Sequence, residues 1–222
     1  MIQSIRYFKT VEQNRTVDGR YNLSGKRYDV EKLLVGDFNA LAEYFYAPSF
    51  DGAASLRIYR DSLNQTYLLE SKRITNWDEV NEYINKTYPP NRKVQTLTLA
   101  QWEEIRERSR KINESINKGR LSRYRILTRT IPIGDSLAVM IYGIIKQAVG
   151  NARKELKMDG QIADGYTAIF RCVVGDELWS LNYHIPEGKY KTLSDLFRQM
   201  IADVEAECFE EEKYIGTFTY LE

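Results

Sequence analysis

The sequence predicts an α+β fold in which an antiparallel sheet is built from two hairpin–helix (ββα) units and covered on one face by helices. Three segments carry this prediction. Residues 166–185 and residues 54–74 each alternate apolar and polar side chains around a central turn, which is typical of β-hairpins. Residues 135–156 are apolar on most sides of a helix, which indicates a buried central helix.

The hairpin at residues 166–185 has the most specific pattern. Gly175-Asp176 suits a two-residue turn with glycine in its first position. Pairing Val174 with Glu177 then makes one face apolar at every position, with Cys172 opposite Trp179, Phe170 opposite Leu181 and Ala168 opposite Tyr183. A slip of one residue would turn all of these side chains to the other face. The register is therefore well specified.

The hairpin at residues 54–74 is less sharply defined. If Arg60 faces Gln65, Ile58 meets Tyr67 and Leu56 meets Leu69. Asn76 with Glu79 forms a possible capping box for the following helix, and Thr192 takes the same place after the other hairpin. The polar side chains expected on the outer face of the two hairpins make up a candidate surface, namely Arg171, Asn182, His184, Arg57 and Tyr59.

The remaining segments complete one predicted domain over residues 1–222. Residues 1–39 are expected to be irregular after a short strand-like start. Residues 98–118 form a charged edge helix with a narrow apolar seam, and residues 123–131 form a strand that Pro132 closes. The helix from Asp135 runs to about Leu156, and an acidic, aromatic tail follows the helix that Thr192 begins.

Composition favours a soluble protein that folds without cross-links. Hydrophobic residues are 43% of the 222, and 32 Lys+Arg balance 31 Asp+Glu to a net charge of +1. No apolar run reaches the ~20 residues that cross a bilayer. Cys172 and Cys208 are expected to be free thiols. The first residues lack the apolar core of a signal peptide, which indicates the cytoplasm, or alternatively an exported form whose signal has been removed.

Catalytic, metal and cofactor motifs are weak. His184 is the only histidine, so it is the first residue to test as a general base, but no nucleophile elbow accompanies it. A carboxylate pair of Glu70 with Asp51 or Glu43 remains open, because such pairs need no local motif. One histidine and two distant cysteines do not suit a zinc site. The sequence therefore predicts no cofactor and favours a protein that is not an enzyme.

Charge is uneven along the chain. Nine cationic residues against two carboxylates lie between Arg106 and Arg129, whereas eight carboxylates against two cations lie between Asp195 and Glu222. The basic segment could bind nucleic acid or another anionic polymer. It lacks the interleaved aromatic residues on which bases stack. We therefore expect it to be a solvated helix face or to meet the acidic tail, and nucleic acid is not expected as a partner.

Two segments resemble known sequences. Residues 54–74 (ASLRIYR and YLLESKRI within them) and residues 164–207 (beginning DGYTAIFRCVVGDELWSL) are similar to a group of uncharacterised proteins of gut bacteria, many of which carry export signals. The shared motifs are a hairpin and its helix, and no activity or site residue is implied. The first residues of the present sequence do not have the pattern of an export signal, so the compartment is left open.

The leading hypothesis for function is a non-catalytic binding or protein-interaction module, and the location suggested for it is the bacterial envelope. One alternative is a hydrolase that uses carboxylates or His184 in a cleft. The other is an anionic-polymer binder that uses the segment from Arg106 to Arg129. A protein partner or a homodimer through the helix at residues 98–118 is also expected from its apolar seam.

Overall fold

The computed structural model describes residues 7–12, 15–19, 26–36, 40–88, 99–152, 165–175 and 177–219. These residues form an α+β fold. In chain order, the elements are β1 (Tyr7–Glu12), β2 (Arg15–Gly19), α1 (Lys26–Val35), β3 (Ala42–Pro48), β4 (Ala54–Arg60), β5 (Tyr67–Ile74), α2 (Trp77–Thr87), α3 (Leu99–Leu121), β6 (Ile126–Ile133), α4 (Asp135–Ala152), β7 (Tyr166–Val174), β8 (Glu177–His184), α5 (Gly188–Glu205) and α6 (Glu211–Thr219).

The strands make one sheet in the order β2-β1-β8-β7-β3-β4-β5-β6. The six strands from β8 to β6 are antiparallel throughout, whereas β1 runs parallel to β8. Both predicted ββα units are present, as β4-β5-α2 and β7-β8-α5. The N-terminal segment differs from the prediction of an irregular region, because residues 1–39 include β1, β2 and α1. Strand β1 pairs with β8, which is far away in the chain, whereas β2 pairs with its neighbour β1.

The second hairpin has the predicted register. Val174 pairs with Glu177, Cys172 with Trp179 and Phe170 with Leu181. We call the face that carries Phe170, Cys172 and Trp179 the front face. Helices α4 and α5 pack on its strands, and α6 packs on α4. The front core includes Tyr44, which stacks on Phe197 and shares a 2.7 Å hydrogen bond with Ser194.

The opposite, back face also carries a helix, in addition to the front face that α4 and α5 cover as predicted. Helix α1 packs across β4 and β5, and Trp77 at the start of α2 joins a second apolar cluster that contains Leu34, Phe45 and Ile169. The back face bears enough apolar side chains to require a cover of its own. The outward face of the hairpins is therefore an inner surface beneath α1.

The first hairpin is shifted by two residues from the predicted register. Arg60 pairs with Tyr67, Ile58 with Leu69 and Arg57 with Glu70. The turn is longer than assumed, because Asp61 closes it by hydrogen bonds with Thr66 and Gln65, and Gln65 has a positive φ of 58°. A shift of two keeps each side chain on its face but changes its cross-strand partner.

Helix starts also differ from the predicted caps. Helix α5 begins at Gly188 rather than Thr192, and α2 has Asn76 at its N-cap without a side-chain capping bond. The Asn76 amide instead accepts from the backbone N–H of Arg125 and donates to the carbonyl of Arg123, so it joins α2 to the strand β6. The predicted acidic tail contains α6, whose Tyr214 and Phe218 are buried.

Other predictions have mixed outcomes. Cys172 is a buried free thiol and Cys208 an exposed one, as expected, and burial raises the pKa of Cys172 to about 12. Helix α3 is exposed from residue 109 to 115, which fits an edge helix. The side chains of Trp102 and Ile105, and the predicted helix end near Leu156, lie outside the described residues.

Candidate functional site

A row of charged side chains crosses the centre of the back face. Direct cross-strand pairing aligns Arg171 with Glu43, Glu43 with Arg57 and Arg57 with Glu70. Four neighbouring strands, β7, β3, β4 and β5, thus contribute one residue each, and the charge alternates along the row. We call these four residues the charge ladder. Opposite charges in directly paired positions stabilise a sheet.

Helix α1 covers the charge ladder on the back face of the sheet. Its Glu31 is 3% exposed and forms an ion pair with Arg171, which is itself 3% exposed. The carbonyl of Val35, at the end of α1, accepts a 3.0 Å hydrogen bond from Arg57. Burying a charge is costly unless a partner of opposite charge accompanies it. The ladder and Glu31 therefore hold α1 in place on the sheet.

The two ends of the ladder differ in exposure and partners. At one end, Arg57 donates a 2.6 Å hydrogen bond to Glu70, and Lys72 lies 3.1 Å from the same carboxylate oxygen. At the other end, Arg171 donates to the Ser180 hydroxyl over 3.3 Å, and Ser180 donates to Asn182. The buried ladder is therefore connected, through Arg171, to the hydrogen-bonded side chains of Ser180 and Asn182 on β8.

Glu43 lies at the centre of the ladder and is 2% exposed. The guanidinium of Arg171 is 3.7 Å from one of its oxygens, which is too far for a hydrogen bond. Burial raises the pKa of Glu43 to about 8, although attraction to Arg57 lowers it. Desolvation disfavours the charged carboxylate more than the neighbouring cation favours it. We therefore describe Glu43 as neutral near pH 7.

The five candidate surface residues all lie on the back face, but they do not form an open surface. Arg171 is buried beneath α1, which corrects its predicted exposure, and Arg57 is part of the ladder. Tyr59 is half-buried with the Arg57 guanidinium 5.3 Å from its ring centroid. His184 is half-buried, and its Nδ1 lies 3.5 Å from the Thr167 hydroxyl. Asn182 is half-buried beside Ser180.

The predicted carboxylate pairs have different outcomes. Glu43 and Glu70 share the back face on either side of Arg57, whereas Asp51 is in the β3–β4 loop and accepts from the Gly52 N–H. Glu43 and Glu31 are both closed off from solvent. Within the described residues, no group of three or more His, Cys, Asp or Glu side chains has the arrangement of a metal site. The ladder has the geometry of a structural network.

An open concave site lies instead beside β6. A groove of about 420 Å³ is bounded by this strand and by the link between α5 and α6. Its lining residues are Arg129, Thr130, Ile131, Pro132, Val204, Glu207, Phe209 and Glu211. Arg129 pairs with Glu207 at 3.1 Å, so the basic segment does meet the acidic tail at this point, as the charge pattern predicted.

Strand β6 is the last strand of the sheet on this side. Arg125, just before β6, accepts a backbone hydrogen bond from Thr75, and antiparallel bonding alternates from there. The odd-numbered residues of β6 therefore bond to β5, and the N–H and C=O groups of Ile126, Thr128 and Thr130 point away from the sheet. Thr128, Arg129 and Thr130 are exposed, so this edge is open to solvent.

Pro132 corrects the predicted end of β6, which continues to Ile133. Its position is even-numbered, so its missing N–H falls on the open side and no bond to β5 is lost. Proline is tolerated in this way on edge strands. The sequence alone could not show this, because the position of β6 at the edge depends on the order of the strands.

No protein-family model matches the chain, and no curated protein or solved structure matches it either. Among the described residues, no helix has both the length and the apolar character needed to cross a membrane. The candidate site is therefore inferred from the geometry of this chain.

A pH titration of the Glu43→Gln variant tests the buried carboxyl. Because the folded-state pKa is raised from 4.5 to about 8, the folded protein keeps a proton that the unfolded chain loses. The free energy of unfolding of the wild type should then fall relative to that of the variant as the pH rises from about 4.5 to 8. The slope of this difference should approach 1.4 kcal/mol per pH unit, to order of magnitude.

Urea unfolding at several pH values, monitored by circular dichroism, gives this difference directly. The charged groups around Glu43 are the same in both proteins, so their contribution to the difference in unfolding free energy largely cancels. They are Glu31, Glu70, Arg57, Arg171 and Lys72. Glu114→Gln on exposed α3 is the control and should show no such slope. A difference that stays constant from pH 5 to pH 8 would mean that Glu43 is already ionised in the fold.

Proposed function

We propose that this protein is a non-catalytic interaction module that binds an extended protein segment along the edge of β6 and in the adjoining groove. The single observation that carries this proposal is the row of outward N–H and C=O groups on Ile126, Thr128 and Thr130 beside a groove of about 420 Å³. An open edge of this kind can take up a further strand through main-chain hydrogen bonds, while neighbouring pockets receive its side chains.

The arrangement of charges supports binding over catalysis. The buried carboxyls of Glu31 and Glu43 have no route to a substrate among the described residues, and several cations of the basic segment are already paired. Arg110 contacts Glu107 and Glu114, Arg125 contacts Glu79, and Arg123 lies 4.1 Å from the Tyr83 ring centroid. These contacts reduce the charge that the segment offers to an anionic polymer. The resemblance to exported bacterial proteins supports a place in the bacterial envelope.

The test uses peptides selected from a random phage-displayed library against the wild-type protein. Bound peptide should slow hydrogen–deuterium exchange at the amides of Thr128 and Thr130. Thr128→Pro, which removes an outward N–H, should weaken binding about tenfold or more, since the lost bond and the unsatisfied carbonyl together cost about 1.4 kcal/mol or more. Thr128→Ala keeps the N–H and is the matched control, so its affinity should stay close to wild type.

Two results would contradict the proposal. One is protection of amides elsewhere, with Thr128→Pro binding as well as Thr128→Ala. The other is cleavage of the peptides by the wild type that is lost in His184→Ala or Glu43→Gln, which would favour the hydrolase alternative. Circular dichroism of each variant establishes that the sheet is retained.

A further inference from the structure

We infer that the segment bound at the edge of β6 is the same strand of a second copy, so that two chains form a symmetric dimer with a continuous sheet. This inference rests on the proposed function, because it uses the same open edge. It adds the identity of the partner and a definite register.

The edge hydrogen-bonding groups define that register. If the two β6 strands run antiparallel with Thr128 opposite Thr128, then Ile126 of each copy faces Thr130 of the other. All three positions have an outward N–H and C=O, so six main-chain hydrogen bonds form. Pro132 lies just beyond them and loses no bond. A register centred on Arg129 would place Ile126 opposite Pro132, which has no N–H to give, and would also place two arginines face to face.

The charge along β6 favours an antiparallel copy. Near the start of the strand, Arg123 and Arg125 are exposed. Arg125 is paired with Glu79. Arg123, which contacts the neutral ring and hydroxyl of Tyr83, therefore supplies most of the positive charge at this end. Near its end, Glu207 and Glu211 line the groove, and Glu210 and Glu212 are close by in sequence. An antiparallel copy brings the basic end of each strand beside the acidic end of the other, and the two-fold symmetry produces this match twice. In the Thr128 register, Leu127 is opposite Arg129 of the other copy, so no like charges face each other.

The first test is sedimentation of the full chain over concentrations from low micromolar to near-millimolar. The wild type should show a concentration-dependent monomer–dimer equilibrium. Thr128→Pro should raise the dissociation constant at least tenfold, because symmetry removes both central hydrogen bonds. Thr128→Ala should dimerise like the wild type. A wild type that stays monomeric throughout overturns the dimer but leaves the peptide test to decide the proposed function.

The second test fixes the register and does not depend on proline. In a Cys208→Ser background, which removes the exposed thiol, Thr128→Cys should give a covalent dimer on mild oxidation. Hydrogen-bonded pairs have Cα atoms about 5.5 Å apart, within disulfide range. Thr130→Cys should not, since two Thr130 residues are four positions apart along the strands, roughly 13 Å. Cross-linking through Thr130 alone would overturn the register.

The exposed helix α3 provides the competing interface. Ile112 is 41% exposed on α3, and the charge and seam of this helix also predict self-association. A dimer that Ile112→Asp abolishes and Thr128→Pro leaves intact would assign the contact to α3 and overturn the present inference. The reverse pattern would support the β6 edge.

Discussion

The Arg171→Met variant should lose about 3–5 kcal/mol of unfolding free energy, because it leaves the Glu31 carboxylate buried without its cation. Methionine keeps most of the length of the side chain, so the loss reports mainly on charge. Chemical denaturation monitored by tryptophan fluorescence measures it. Because Glu31 belongs to α1, this loss of unfolding free energy measures how strongly the charge ladder attaches α1 to the sheet.

The exposed Arg110 is the matched control for this variant. It pairs with Glu107 and Glu114 but is 60% exposed, and exposed ion pairs of that kind contribute little to stability. Adding Glu31→Gln to Arg171→Met should recover part of the loss, because the unpaired carboxylate of Glu31 is then no longer buried. Equal losses for Arg171→Met and Arg110→Met would show that the ladder contributes no more than a surface pair.

The Trp179→Ala variant should lose about 3–5 kcal/mol of unfolding free energy through the cavity that it leaves. Trp179 is 1% exposed on the front face, opposite Cys172, and its indole N–H donates to Glu177 over 3.0 Å. Thermal or urea unfolding followed by circular dichroism is suitable, because the substitution removes one of the three tryptophans.

His184→Ala is the control for this second variant. His184 lies on the same strand but on the back face, half-buried near its end. Its removal should change the unfolding free energy by no more than about 0.5 kcal/mol, as at an ordinary partly exposed position. If His184→Ala cost as much as Trp179→Ala, the assignment of Trp179 to the apolar core and of His184 to a partly exposed position would be wrong.

The second hairpin could be predicted in detail because its information is local. A two-residue turn at Gly175 leaves no freedom in the pairing, and the glycine has the positive φ of 66° that such a turn requires. Apart from Val174, which pairs with Glu177, the apolar side chains of its front face then meet one another. Turn length and alternation together determine the register.

In the first hairpin, an error of two residues in the predicted register assigns the wrong cross-strand partner to Arg57. The closing bonds of its turn lie between Asp61 and Thr66, and the sequence of this turn does not distinguish that length from a shorter one. The register predicted for it places Leu68, not Glu70, opposite Arg57. The ion pair of Arg57 with Glu70, and with it the charge ladder, could not be seen from the sequence.

The back face could not be predicted for a different reason. Arg171, Arg57 and Glu43 have the composition of a solvated strand face. Only the contacts of Arg171 with Glu31 and of Arg57 with Glu70 compensate the two cations. Glu31 completes the cluster from a helix in a segment that the sequence leaves irregular. The open edge of β6 likewise depends on strand order, which involves contacts among residues 67–74 and 126–133 and no local signal.

The central pairing of β3 with β7 joins residues 42–48 to residues 166–172, so the middle of the sheet is completed late in synthesis. A nascent chain that has reached only α4 can form the meander from β3 to β6, but β3 is then a bare edge. That edge carries Tyr44 and Phe45, both buried in the finished fold. Long-range pairing of this kind slows folding and leaves apolar edges exposed to other chains. The newly made protein is therefore most vulnerable to aggregation before β7 emerges from the ribosome.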